Sequence, residues 1–259
     1  MTDLGGKAAL VTGGGSGIGR ATAIALAEAG AAVVVADIDE AAGQETAGLI
    51  EAANGRSTFV RTDVTEWDDL ERTVAFTVET FGGLHVFHNN AGINTGWPDF
   101  PEAARERWEK VLAINLWAVI AGVQAVVPAM RSSGGGAIVN MASLAGLVAY
   151  GTDPIYAATK HGVVGLTRAL AGLKEESNIR VNCLCPAFVD TALPRRRLGD
   201  MPPEQRARWE GALERIPMIA PSEVAEGVLE LVGDESLAGE VIVMLHGGVR
   251  KIAPVPSFT

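Results

Sequence analysis

The chain has 259 residues, 48% of them hydrophobic, which is enough for one large α/β domain or two small ones and too much for a small stapled fold. A formal net charge of -10 argues against nucleic acid or an anionic membrane as partner, because both demand clustered Lys and Arg. The start "MTDLGGKAALVTGGG" lacks the marks of a signal peptide, and apolar runs such as "AAVVVAD" fall short of the roughly 20 residues of a bilayer span, so a soluble, cytoplasmic protein is expected.

From the N-terminus, "KAALVTG" reads as a short buried strand, "GIGRATAIALAEAGA" as an Ala-rich helix closed by Gly30, and "AVVVAD" as a second strand. A helix near 41–53, the strand "STFVRTD", a helix over 66–81 and the strand "LHVFHNNAG" follow. Next come a long helix from Arg105 to Met130, the strand "GAIVNMAS", a helix beginning near Tyr156, and the strand "IRVNCLCP". A helix over 222–233 and the strand "EVIVML" complete the series. Seven strands rich in Val and Ile, with little polar alternation, predict a sheet buried on both faces: a doubly wound parallel α/β sheet of Rossmann type, in one domain over 1–259. The segment 190–221, rich in Pro and Arg, interrupts the alternation with a loop and one or two short helices, and is expected to cover a ligand. A solvated excursion is the plainer alternative. Cys183 and Cys185 project from one face of a single strand and read as buried thiols in a reducing compartment; no metal site is expected.

"VTGGGSGIGRA" joins the first strand to the first helix, the setting in which a glycine pattern becomes a phosphate-binding turn. Gly13, Gly17 and Gly19 are spaced GxxxGxG. Gly13 permits the sharp turn, Gly17 lets backbone approach a pyrophosphate, and Gly19 lets helix and sheet pack closely, with the helix N-terminus facing the anion. Gly15, Ser16 and Ile18 belong to the same turn. Asp37 ends the second strand, where a carboxylate accepts hydrogen bonds from the adenosine ribose and repels a 2'-phosphate. No Lys or Arg stands at Ser16 or Ile38, which favours NAD over NADP. Tyr156 and Lys160 lie four apart, hence on one helix face. A cation about 4 Å from a phenol, at an effective dielectric of about 20, is worth on the order of 4 kcal/mol. That is at most about three pKa units, enough to bring the phenol toward neutral pH.

In order along the chain, "TGGGSGIG", "NNAG" at Asn89 to Gly92, Asn115 in "INLWA", Ser143 in "NMAS" and "YAATK" resemble the motifs of the classical short-chain dehydrogenase/reductase family, over residues 5–249. The resemblance implies a catalytic set of Asn115, Ser143, Tyr156 and Lys160. It further implies that Asp63, followed by Val64, contacts adenine and that Asn90, Ala91 and Gly92 floor the cofactor site. Pro186, Val189 and Thr191 are implied to touch the nicotinamide end. In these roles Ser143 stabilises charge on the substrate oxygen, Tyr156 exchanges its proton, Lys160 tunes the phenol and binds a ribose, and Asn115 anchors a relay water. Two departures stand out: Ala187 follows Pro186 where the family often has Gly, and His246 stands where it commonly has Asp. His161 reads as structural.

The implied activity is NAD-dependent interconversion of a secondary alcohol and a ketone. Ile93, Trp97, Leu144, Tyr150, Phe188, Val189 and Leu193, with Met201 and Trp209 from the lid, form an apolar substrate side. A hydrophobic, medium-sized and even cyclic substrate is expected; Arg195 to Arg197 leave an acidic one open, although solvated arginines are the plainer reading. An NADP-dependent ketoacyl or carbonyl reductase and a non-catalytic cofactor sensor are the rivals. The resemblance implies a homotetramer packed through helices near 105–130 and 156–172.

Overall fold

A computed structural model describes residues 2–254. Eight strands form one sheet in the order β3-β2-β1-β4-β5-β6-β7-β8. They are β1 Ala8–Thr12, β2 Ala32–Asp37, β3 Arg56–Arg61, β4 Val86–Asn89, β5 Gly136–Met141, β6 Ile179–Pro186, β7 Val241–Leu245 and β8 Val249–Ile252. The first seven run parallel, as the sequence predicts. The eighth, which was not predicted, pairs antiparallel with β7, Leu245 opposite Val249. Its sequence "VRKI" is too short and too charged to stand out as a strand.

The twofold side-chain period of the strands explains why both faces are apolar. Ala9, Val11, Val33, Val35, Val139 and Leu184 face α1 (Gly17–Glu28), α2 (Glu40–Ala52) and α9 (Pro221–Gly233). Leu10, Val34, Phe87, Ile138 and Val181 face α3 (Trp67–Phe81) and α5 (Ala118–Ser132). Cys183 and Cys185 share that second face, packed with Val119 of α5 and Val163 and Val164 of α6 (Pro154–Ala169). Both thiols are free, with their sulfurs 3.7 Å apart, as their spacing predicts. Among the described residues no group of three or more His, Cys, Asp or Glu gathers as metal ligands.

The predicted long helix is continuous but not uniform: α4 (Arg105–Leu112) passes into a π-helical turn, Ala113–Trp117, and then α5. Over 105–132 this stretch is long and apolar enough to cross a bilayer by length and composition, unlike any run weighed from sequence. Val111, Val119, Val123, Val126 and Met130 are nevertheless buried in this fold. A short helix α7 (Leu173–Ser177), missed in the sequence, links α6 to β6. The segment after β6 forms a 3-10 turn, Leu193–Asp200, and α8 (Pro203–Leu213).

After β3 the chain returns to lay β4 on the other side of β1. The connections after β1 and β4 therefore diverge, and a crevice opens at the carboxyl ends of these two strands.

Candidate active site

β1 ends at Thr12, and α1 starts five residues later, at Gly17, behind a turn pinned to the end of β4. Asn90 donates its side-chain amide to Thr12 O at 2.9 Å and Gly13 O at 3.2 Å, and its backbone N–H to Thr12 Oγ1 at 3.0 Å. Gly17 has φ +53, in the left-handed region that side chains disfavour. A Cβ on Gly19 would lie 2.0 Å from Gly13 O, so any side chain there would push the helix off the turn. Ser16, which precedes the first residue of α1, makes no side-chain cap hydrogen bond, and the first turn holds no acidic residue. Uncapped N–H groups at a helix N-terminus suit an anionic pyrophosphate.

Asp37, at the end of β2, fixes the turn from the other side. Its carboxylate accepts the Gly15 N–H at 2.8 Å and the Asp39 N–H at 3.0 Å. A carboxylate offers about four acceptor positions, so capacity remains for ribose hydroxyls. Ile38 beside it is 55% exposed and brings no cation. The Asp63 carboxylate accepts both the N–H and hydroxyl of Thr65, at 3.0 and 2.6 Å.

The helix bearing Tyr156 starts at a buried cap. Asp153 accepts the Tyr156 N–H at 3.1 Å, the Thr95 hydroxyl at 2.7 Å and the Thr95 N–H at 2.8 Å. One turn on, the buried Lys160 donates from Nζ to Met141 O at 2.8 Å, and Nζ lies 5.6 Å from the Tyr156 ring centroid. Burial pulls the Lys160 ammonium down to about 8, while the thiols of Cys183 and Cys185 act upward. Burial pushes the Tyr156 phenol up to about 12; Ser143 acts against it by hydrogen bonding, and Tyr150, Asp153 and Cys185 reinforce it. The expectation that Lys160 brings the phenol down toward neutrality is thus not met in this structure. Desolvation is the largest influence on the phenol, and one proton of the Lys160 ammonium is directed at a backbone carbonyl.

Ser143 caps the 3-10 turn Leu144–Gly146, its hydroxyl accepting the Ala145 N–H at 3.2 Å. Asn115 lies fully buried within the π-helical turn. Its amide binds Ile93 at both ends, accepting the N–H at 2.9 Å and donating to the carbonyl at 2.7 Å. It thereby holds the loop after β4 and stands behind the cavity wall.

A cavity of about 400 Å³ joins these groups. Gly13, Ser16, Gly17, Ile18, Asp37, Ile38, Asp63, Val64, Asn90, Ala91 and Gly92 line one end; Ser143, Tyr156, Lys160, Pro186, Val189 and Thr191 line the middle. Ile93, Leu144, Tyr150, Phe188, Leu193 and Trp209 line the remainder, together with Asn94, Asp153, Arg196 and Arg197. Gly15, Gly19 and Asn115 support the wall from behind. Trp97 and Met201 do not line the cavity: the Trp97 carbonyl instead accepts from Arg107, and Met201 is buried elsewhere. The Ala187 N–H donates to Met244 O at 2.9 Å, which keeps the backbone after Pro186 in sheet register despite the missing glycine. His161 and His246 lie exposed, their rings against Ala157 O and Met218 O.

Asp153 was not singled out from sequence, although Asp directly before Pro is a strong helix-start signal. Arg197, read there as one of three arginines solvated or open to an acidic substrate, is 2% exposed.

A family model described as short chain dehydrogenase matches residues 7–201. The chain is 43% identical over 187 residues to a cyclohexanol dehydrogenase of Acinetobacter sp. (strain SE19), covering 72% of this chain and 74% of that protein. It is 37% identical over 249 residues to the 15-hydroxyprostaglandin dehydrogenase of Homo sapiens, whose name specifies NAD(+), covering 92% and 90%. The crystal structure of a levodione reductase superposes with a TM-score of 0.85 at 32% identity, covering 93% of this chain and 96% of that one.

Proposed function

The chain belongs to the short chain dehydrogenase family and is an oxidoreductase of alcohol groups; from that premise we propose that it interconverts a secondary alcohol and its ketone with NAD. When bound, NAD+ supplies the hydride acceptor. The uncapped start of α1 and the turn at Gly13 to Gly19 fit its pyrophosphate, and Asp37 fits its adenosine ribose. The Ser143 hydroxyl holds the alcohol oxygen while the Tyr156 phenolate takes its proton; in the reverse direction the phenol returns that proton. Lys160 keeps two ammonium protons beyond the one given to Met141 O, and these suit the nicotinamide ribose. Asn115 holds the loop that closes this end, and the proton leaves along a water it anchors.

The observation that carries this reading is that Asp37, Ser143, Tyr156 and Lys160 line one cavity, with Ile93, Leu144, Phe188 and Leu193 among the apolar residues of its far end. Medium-sized alicyclic alcohols fit such a wall, and the name of the cyclohexanol dehydrogenase relative supports that class. The test is turnover of cyclohexanol and substituted cyclohexanols with NAD+ and with NADP+. A preference for NAD+ of about a hundredfold is expected, and replacing Asp37 by Ser should reduce it by about tenfold or more. Tighter NADP+ binding by the native protein would sink the assignment.

The same reading takes the protein as a cytoplasmic homotetramer packed through α4, α5 and α6. Trp117 and Ile120, each 43% exposed, supply apolar surface for that packing. Light scattering at the monomer mass would contradict it.

A further inference from the structure

The consecutive arginines 195, 196 and 197 lie in the 3-10 turn Leu193–Asp200. Such a turn has about three residues per revolution, so the three side chains leave its axis in three directions. Arg195 donates from Nη1 to the Asp190 carboxylate at 2.7 Å and to Thr191 O at 3.0 Å, and is spent on its own loop. Arg197 is buried, donating from Nη2 to the Asp99 carboxylate and from Nη1 to Thr152 O at 3.1 Å. Arg196 is exposed and lines the cavity beside Arg197, and among the described residues its side chain makes no hydrogen bond and no ion pair. The turn that carries it is held in place. Asn94 donates to Leu193 O at 2.7 Å, Trp209 Nε1 to Pro194 O at 3.1 Å, and Arg107 pairs with Asp200 at 2.9 Å.

The cations on this stretch of wall outnumber the anions able to meet them. Asp99, the counter-ion of Arg197, does not line the cavity. Asp153 does, but its carboxylate already accepts the Thr95 hydroxyl, the Thr95 N–H and the Tyr156 N–H. The other carboxylates of the wall, Asp37 and Asp63, stand at the cofactor end. Arg197 spends only one N–H from each arm of its fork, and Arg196 spends none. Ile93, Leu144, Phe188 and Leu193 line the same part of the cavity. A ligand suited to it is therefore apolar in its body and anionic where it reaches the arginines. A planar guanidinium receives a carboxylate through two parallel N–H···O bonds, a match that an ester or a hydroxyl cannot reproduce.

We infer that Arg196, with Arg197 buried beside it, forms an anion subsite at the mouth of the cavity, and that the substrate is an alcohol carrying a carboxylate at the end remote from its hydroxyl. This rests on the alcohol dehydrogenase reading above and adds to it the charge class of the substrate.

The probes are 4-hydroxycyclohexanecarboxylic acid, its homologues with one and two more methylenes before the carboxyl, and the methyl esters of all three. The series varies the reach from hydroxyl to charge. With NAD+, the native protein should favour the best acid over its ester by about tenfold or more in kcat/KM, chiefly through KM, and added salt should erode that preference. Arg196→Gln should bring the preference down to about twofold or less by raising the KM of the acid with little change in its kcat. Arg196→Lys, which keeps the charge without the fork, should hold part of it. Thermal unfolding and NADH titration establish that each variant is folded and binds cofactor. Equal use of acids and esters by the native protein, or a preference undiminished in Arg196→Gln, overturns the inference and leaves Arg196 a solvated arginine. Calorimetric titration of the same acids and esters into the protein with NADH reads the subsite without turnover. Selective binding of an acid that is not oxidised sinks only the dehydrogenase reading, and unselective or absent binding sinks the subsite.

Discussion

Tyr156 carries a phenol that burial has pushed up to about 12, and this sets the sign of the pH dependence. In the proposed mechanism oxidation needs the Tyr156 phenolate, whose fraction rises about tenfold per pH unit below the pKa. Oxidation should therefore climb toward alkaline pH while ketone reduction, which uses the protonated phenol, does not. A positively charged nicotinamide bound beside the phenol would lower its pKa and move the climb toward neutrality without changing its direction. Tyr156→Phe should lose about 100-fold to 10,000-fold in turnover and with it the climb, in steady-state rates over pH 6 to 10. A variant that keeps the climb would assign the base elsewhere. The spacing of Tyr156 and Lys160, and of Gly13, Gly17 and Gly19, could be read from sequence because each lies within one helix or one turn. The surroundings of Lys160 could not, since they depend on Met141 of β5 and the thiols of β6.

At the scale of elements, the start of α6 connects substrate side and chemistry. The Asp153 carboxylate binds Thr95 twice and the Tyr156 N–H once, so the loop after β4 and the start of α6 share one anchor. Its neighbour Thr152 accepts from Arg197, which extends the chain of contacts to the lid. Asp153→Ala leaves buried donors without partners and removes a helix cap, and should cost about 2 kcal/mol or more in denaturant unfolding. The same variant should lower kcat more than it weakens NADH binding, because the cofactor end is built from other elements. Asp153→Asn, which keeps the acceptor oxygen, should recover part of both. Most helices and strands were legible to within a residue or two from their apolar periodicity. The π-helical turn at Ala113–Trp117 was not, since nothing in a continuous apolar helix marks the extra residue; its partner is Ile93, from a separate loop.

For the whole molecule, the alternation of strand and helix made the parallel sheet readable, and the order of its seven parallel strands follows that of a doubly wound fold. The antiparallel β8 and the burial of Arg197 depend on contacts that only the assembled chain supplies. The sheet also carries an acid liability. His88 in β4 is fully buried with both ring nitrogens unpartnered, and burial pulls its imidazole down to about 3. Below its ordinary value of about 6.5 the unfolded chain takes a proton that the native state refuses. Stability therefore falls by up to about 1.4 kcal/mol per pH unit from about 6.5 toward 3. His88→Leu should remove that part of the slope and move the acid-unfolding midpoint to lower pH, as read by circular dichroism, with neutral-pH stability preserved. An unchanged midpoint would show that other groups govern acid unfolding.

The central place of β1, with two strands on one side of it and five on the other, has a mechanical consequence. Sheets breathe from their margins, where hydrogen bonds open without global unfolding. Fraying of β3 or β8 leaves the Thr12 to Gly17 turn clamped between β2 and β4. The turn proposed to grip a pyrophosphate is therefore set between inner strands, away from the margins of the sheet.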